Sequence, residues 1–289
     1  MGNQLTAPVP ASRLAQRLGV PMQGTDANIL HVASLDAVSA GTLCFSRAPV
    51  AGTIAAGAVV IAPAGNAPEG GAILHADNPR LFFARALHLL AAEPGFSMPD
   101  TAPNIDPTAV IAPTAVIGRG VRIGPRTVIS HHVVIGDGAT IGADCYIKSN
   151  TVIGEPGFGF ERDENGVPIR LLHLGSVVIG DRVELGSLNT VCNATLGNTI
   201  VEDDVKTDDH VHIAHNCRVR RGALLTACAE LSGGVDIGEF AWVGPNSSIM
   251  QKAVLGPRAF VGIGSNVTRS VEADAVVAGN PARQLRKAE

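Results

Sequence analysis

The densest group of ionisable side chains in this 289-residue chain is Asp203-Asp204-Val205-Lys206-Thr207-Asp208-Asp209-His210-Val211-His212-Ile213-Ala214-His215-Asn216. A neutral imidazole titrates at about 6.5 and can take a proton near neutral pH. Placed beside an amine or hydroxyl that attacks a thioester, it would supply general-base help of about 10²–10⁴-fold. A carboxylate accepting the other ring N–H would fix the tautomer, and Asp208 is the candidate by proximity in sequence. Backbone N–H groups near Ser232-Gly233-Gly234 could meet the oxyanion that develops on the carbonyl. Three histidines within six residues also permit zinc, although strand alternation would send their side chains in different directions. A solvated polar surface is the remaining reading.

The elements that must position these residues show in a period of six. Every sixth residue from Ile105 to Ile153 is isoleucine, and the aliphatic series resumes at Ile179, Leu185 and Val191. A four-residue slip follows, and a second register runs from Val201 to Val267 with Thr207 as its one non-aliphatic member. Six residues match neither a helix nor a lone amphipathic strand, so a repeat architecture is implied. Each hexad forms one flat face of a three-sided coil. The aliphatic residue points inward, and small residues turn the corner. Coils then stack so that their strands pair in parallel around one continuous core. With Ile213 inward, His212 and His215 point away from that core. They lie on a wall that a neighbouring copy could face, and the glycine pair comes one coil further on.

Composition narrows the function classes. The net charge is −4 with scattered Lys and Arg, which argues against nucleic acid. Aromatic content is 3%, as suits a coil interior too narrow for rings. No apolar run is long enough to span a membrane, and no secretory signal is evident. Met1-Gly2-Asn3-Gln4-Leu5-Thr6 matches a low-information myristoylation pattern. Five dispersed cysteines without a CxxC pair indicate a reducing cytoplasm rather than disulfides or a metal site. Cys145 and Cys217 fall on small inward positions.

The length suits two domains. Residues 1–93 carry no hexad and read as a small α/β module. Its helices are expected at Ala11–Leu18 and after Asn78-Pro79, where Phe83, Ala86, Leu87 and Leu90 give one buried face. Strands are expected at Ile29–Leu35, Leu43–Phe45, Ala58–Ala62 and Ala72–Leu74. Residues 94–104 read as a proline-marked linker, 105–272 as the coil domain and 273–289 as a short tail. The coils are interrupted at 155–176 by a loop carrying Gly157-Phe158-Gly159-Phe160. Phe158 and Phe160 could cover an apolar ligand or pack against a neighbouring subunit.

The hexads resemble those of the hexapeptide-repeat acyltransferases, which implies a mainly β chain folded as a left-handed parallel β-helix and a homotrimer. A narrower resemblance rests on Leu14-Ala15-Gln16-Arg17-Leu18-Gly19, Val32-Ala33-Ser34-Leu35, Asp77-Asn78-Pro79, Gly157-Phe158-Gly159-Phe160 and Ile213-Ala214-His215-Asn216. In that order these are similar to the UDP-3-O-acylglucosamine N-acyltransferase family of lipid A biosynthesis. The resemblance implies that His215 deprotonates the sugar amine with Asp208 beside it, and that Phe45 stacks on uracil in the amino-terminal domain. It also implies an acyl carrier protein as donor of a 3-hydroxyacyl chain, so that a phosphopantetheine thioester is a co-substrate and no cofactor is bound.

The chain departs from that family at several places. Asp209 stands where the family has Asn, and Lys252 where it has a second active-site His. The Asn and Tyr that follow the uracil-stacking Phe are missing from Ala48-Pro49-Val50-Ala51. A carboxy-terminal helical extension is also missing. In its place, Gly279-Asn280-Pro281-Ala282-Arg283 resembles acetyl-CoA-dependent sugar acyltransferases, which implies that Asn280 and Arg283 lie against coenzyme A. The expectation is therefore N-acyl transfer from acyl carrier protein or acyl-CoA to a nucleotide-linked amino sugar. His215 and Asp208 are the catalytic pair. Phe45, Asp209, His212, Lys252, Phe158 and Phe160 are the substrate contacts, and Gly233, Gly234, Asn280 and Arg283 the donor contacts. The alternatives are a short-acyl-CoA enzyme for surface polysaccharide sugars, or a non-catalytic or zinc-binding solenoid.

Overall fold

The computed structural model describes residues 3–50, 53–65, 70–99 and 101–287. The start of the myristoylation pattern, Met1-Gly2, and Ala51 lie outside them. The chain divides into two compact units, Met1–Met98 with Gly159–Leu174, and Pro99–Phe158 with Gly175–Glu289.

The first unit is a six-stranded sheet with two helices. Its strands are β1 (Gln4–Pro10), β2 (Met22–Gly24), β3 (Asn28–Val32), β4 (Thr42–Phe45), β5 (Val59–Ala62) and β6 (Ala72–His75), in the order β1-β3-β4-β5-β6-β2. Strands β3 to β6 run parallel, while β1 and β2 are antiparallel edges. The edges escaped the sequence reading: β1 carries two prolines and β2 only three residues, and neither alternates clearly. Leu35, expected in a strand, opens a 3-10 turn instead. Helix α1 (Ala11–Leu18) stops at Gly19, whose φ of 67° is the left-handed cap that glycine adopts without strain. Helix α2 (Pro79–Ala92) starts as its sequence dictates. Pro79 occupies the first turn, and the Asn78 side chain accepts the Leu81 N–H at 3.2 Å.

The insert is not a free loop. Residues 159–174 belong to the amino-terminal unit, where Phe160–Arg162 and Pro168–Arg170 form an antiparallel hairpin. Helix α2 holds it through three polar residues. Arg80 pairs with Glu161 and donates to the Phe160 carbonyl at 3.1 Å. Arg85 donates to both Glu164 oxygens at 2.9 and 2.5 Å, and His88 meets the Arg170 carbonyl at 2.8 Å. Apolar periodicity marks only the buried face of α2, so this second, polar face was not legible.

The second unit is a three-walled prism of parallel strands, most of them two residues long. One wall holds eight strands from Asn104–Ile105 to Val254–Leu255. The next starts at Val110–Ile111 and holds ten, and the third holds eight from Val116–Ile117 to Asn266–Val267. In regular coils the partner residue lies eighteen positions on, as in Ile123 opposite Ile105 and Ile141. The inward aliphatics are buried in one continuous core. The slip between Val191 and Val201 is taken up by two longer strands, Thr190–Asn193 and Asn198–Val201. Corner aspartates cap the coil before them: Asp181, Asp203 and Asp209 accept the N–H groups of Ala143, Asp181 and Ser187 at 2.8, 2.9 and 2.7 Å. The expected tail is structured too. Ala275–Ala278 joins the second wall, and Arg283–Lys287 folds back on it as an antiparallel cap, covering what would be an open sheet edge.

Candidate active site

His212 and His215 flank the inward Ile213 on the third wall. His212 lies on the strand His212–Ile213, between Thr190 of the preceding coil and Glu230 of the next. Its Nδ1 sits 2.5 Å from the Thr190 hydroxyl. His215 follows at the corner, half-buried, with Nδ1 shielded from solvent. Its ring rests on Gly233: a Cβ built there would lie 2.6 Å from Cε1 and 2.8 Å from Nε2. Any side chain at 233 would occupy the seat of the imidazole. The bare glycine is therefore what admits the base.

Gly234 does not share the oxyanion role read for the pair. Its N–H is committed to the His215 carbonyl at 2.9 Å, as part of the ladder that stacks the corners. Lys252 stacks one coil beyond, with its N–H on the Gly233 carbonyl at 3.1 Å. Cys217, next to Asn216, donates its thiol to the Ser232 carbonyl at 3.2 Å, and burial pushes its pKa up to about 12. It serves as a small core residue. Among the described residues no three His, Cys, Asp or Glu side chains are grouped to hold a metal. His210 sits at one corner in the left-handed region, His212 on the wall and His215 at the next corner.

Asp208 and Asp209 occupy the corner before that wall. Asp208 is exposed, and its Oδ1 accepts the Asp209 N–H at 2.8 Å. Asp209 spends Oδ1 on the Ser187 N–H. One wall of the prism, roughly 15–20 Å at about 3.3 Å per residue, separates this corner from His215 within a chain. Glu230 is the residue that sequence reading missed. It is half-buried beside His212 and takes the Ser232 hydroxyl at 3.1 Å. Adding one coil of eighteen to position 212 would have found it.

No protein-family model matches the chain. Curated relatives do. It is 36% identical over 289 residues to the UDP-3-O-acylglucosamine N-acyltransferase of Delftia acidovorans, covering 92% of this chain and 84% of the relative. The Campylobacter curvus enzyme of the same name is 36% identical over 293 residues, covering 93% and 92%. The chain belongs to the UDP-3-O-acylglucosamine N-acyltransferase family. It is an acyltransferase. Among solved structures, the UDP-N-acetylglucosamine acyltransferase of Francisella novicida matches with a TM-score of 0.54 at 26% identity, covering 64% of this chain and 69% of that one. The O-acyltransferase of Moraxella catarrhalis matches with a TM-score of 0.53 at 26% identity, covering 64% and 73%. The prism is accordingly a left-handed parallel β-helix of hexapeptide repeats.

For a member of this family, the remaining expected contacts fall in several places. Phe45 is half-buried at the end of β4, with its ring 5.0 Å from that of Phe83. The same unit has a cavity of about 620 Å³ lined by His75, Asp77, Asn78, Phe82 and Arg162, but not by Phe45. Phe158 is 87% exposed. Phe160 lies in the hairpin under the Arg170 guanidinium, 4.6 Å from the ring centre. Asn280 meets Asn266 at 3.3 Å and Arg283 donates to its neighbour's carbonyl, both at the capped end of the prism. No helix among the described residues is long and apolar enough to cross a membrane.

Proposed function

We propose that the protein is a homotrimeric, cytoplasmic N-acyltransferase. It moves a 3-hydroxyacyl group from a phosphopantetheine thioester to the amine of a UDP-glucosamine-type sugar. The relatives' names support the acceptor class, and the imidazole seated on Gly233 carries the assignment of the base. The amine nitrogen attacks the thioester carbonyl while His215 takes its proton. The Gly233 N–H meets the oxyanion. The C–S bond then breaks, the imidazolium returns the proton to the departing thiolate, and an amide and a free thiol leave.

Asp208 completes the site from a neighbouring copy. It stands at the same height along the prism as His215, in the same coil. A three-fold axis parallel to the prism preserves height, so the Asp208 corner of one subunit faces the His215 corner of the next in a closed heterologous ring. Acyl carrier protein and coenzyme A present the same phosphopantetheine arm, and parallel assays with each donor decide between them.

The test is thiol release with a 3-hydroxyacyl thioester and the UDP-sugar amine. His215→Ala should lose about 10²–10⁴-fold in kcat, and unchanged turnover removes the base. Chains carrying His215→Ala and chains carrying Asp208→Ala, inactive apart, should regain activity when co-expressed. Random assembly leaves roughly a quarter of the subunit boundaries with both native residues. No recovery would place the pair elsewhere.

A further inference from the structure

Thr207 breaks the hexad rule at an inward position that is otherwise aliphatic throughout its register. It is only 4% exposed, and Asn189, from the preceding coil, is 1% exposed. The two side chains meet: the Asn189 amide donates to the Thr207 hydroxyl oxygen at 2.5 Å. The same oxygen accepts the Gly186 N–H at 3.0 Å, and Asn189 Oδ1 accepts the Val211 N–H at 2.7 Å. Thr151 extends the set one coil further. It donates to the Gly186 carbonyl at 2.7 Å and accepts the Asn189 N–H at 3.2 Å.

Other coils set a hydroxyl at the position of Asn189 (Thr151, Ser247 and Ser265), and among the described residues only this coil sets a polar residue at the position of Thr207. The two following coils fill both places with apolar pairs. Val211 with Leu225, and Ala229 with Val243, occupy the equivalent places. There a small apolar residue and a larger aliphatic one fill the volume. At 189 and 207 the sizes are reversed and both partners are polar. A fully satisfied buried polar pair contributes little net stability over an apolar pair of the same volume. The exchange therefore calls for another reason.

Its hydrogen bonds supply one. Thr207 immediately precedes the corner Asp208-Asp209-His210, and Val211, gripped by Asn189, immediately follows it. Gly186, held by Thr207 and Thr151, lies directly against the Asp208 backbone, where a Cβ would be 2.3 Å from the Asp208 carbonyl oxygen. The corner is thus clamped on both flanks and from the adjoining coil. We propose that Asn189 and Thr207 are positioning residues, which fix the Asp208 corner so that its carboxylate meets the imidazole across the subunit boundary. The inference rests on the role given to Asp208 above.

The decisive variant installs the next coil's apolar pair, Asn189→Val with Thr207→Leu, the combination found at Val211 and Leu225. It should fold with an unchanged or higher melting temperature. Its kcat should fall at least about tenfold while KM for the sugar nucleotide changes less than about threefold, as expected for misplacement of a group beyond the binding contacts. Thr207→Ser, which keeps the hydroxyl, should retain most of the turnover. Wild-type kcat in the double variant overturns the proposal. So does a fall of more than about 5 °C in melting temperature, which would make the pair structural. Asp208→Asn is measured alongside. If it retains full turnover, the role of Asp208 fails. If it loses turnover and the double variant does not, only the positioning role fails.

Discussion

Gly233→Ala tests the seat of the base with one methyl group. Gly233 is not among the glycines in the left-handed region, so alanine can adopt its backbone without strain. Alanine is also common at prism corners, as at Ala112 and Ala214. The new Cβ would stand 2.6 Å from His215 Cε1 and 2.8 Å from Nε2, where ordinary contact begins at about 3.4 Å. The ring must therefore retreat by about 0.8 Å. Misplacement of a catalytic group on the order of 1 Å costs about 10²-fold, or about 2.7 kcal/mol in the barrier. The expected result is a loss of about a hundredfold in kcat with KM for the sugar nucleotide and the melting temperature close to wild type. The assay is initial-rate thiol release at saturating donor, with calorimetry on the same preparation. A variant with wild-type kcat would show that the imidazole does not act from this seat, and the assignment of His215 would fall with it.

Two further outcomes follow from burial and charge. Burial holds Cys44 and Cys217 at about 12, so at pH 7.5 their thiolate fraction is on the order of 10⁻⁴ or less. A maleimide should label the exposed Cys228 first and reach Cys44 and Cys217 only on unfolding, as mass spectrometry of timed samples would show; early labelling of Cys217 would contradict the packed core. At the corners, hydrogen bonds from the Arg126 and Arg182 guanidinium groups hold Asp144 and Asp204 below the ordinary carboxylate range. A depressed folded-state pKa gives stability that is present above the unfolded value of about 3.9 and is lost as pH falls through the folded one. The melting temperature should therefore stay level from pH 7 to about 5 and drop below about pH 4; a steady decline from pH 7 downward would point to histidine instead.

The period of six exposed the prism because one aliphatic per face is what a triangular coil requires, and the eighteen-residue register follows from three such faces. The outward direction of His212 follows from Ile213 by strand alternation, whereas His215 turns outward because the chain has already left the strand for the corner. Sequence proximity misleads at the corners. Asp208 is seven positions from His215, yet each corner redirects the chain, so seven residues carry it to the far end of a wall. Conversely, Glu230 is eighteen positions from His212 and lies beside it. The docking of the hairpin on α2 depends on Arg80, Arg85 and His88 finding partners eighty residues away, and no local pattern encodes that. The fate of the tail was hidden for a similar reason. Arg283–Lys287 becomes a strand only because Ala275–Ala278 offers it an edge.

A repeat fold offers the same corner many times, so something local must decide which copy carries chemistry. Along the corner that holds His215, the regular coils place Arg119, Asp137, His215, Gly233, Gln251 and Arg269 at equivalent positions. Gly233 alone among these leaves room above its neighbour for a ring. Other unusual side chains gather nearby: Thr207 replaces an inward aliphatic, Asn189 puts a buried amide between Thr151 and Val211, and Glu230 puts a carboxylate beside His212. Sequences that otherwise agree with their fold at every level depart from it chiefly where function requires it. The coils from Glu184 to Gly234 carry these features together, whereas the buried hydroxyls of Thr127, Thr151, Ser247 and Ser265 leave the inward aliphatics of the other coils in place. The site is therefore marked by where the repeat fails as well as by the histidine it contains.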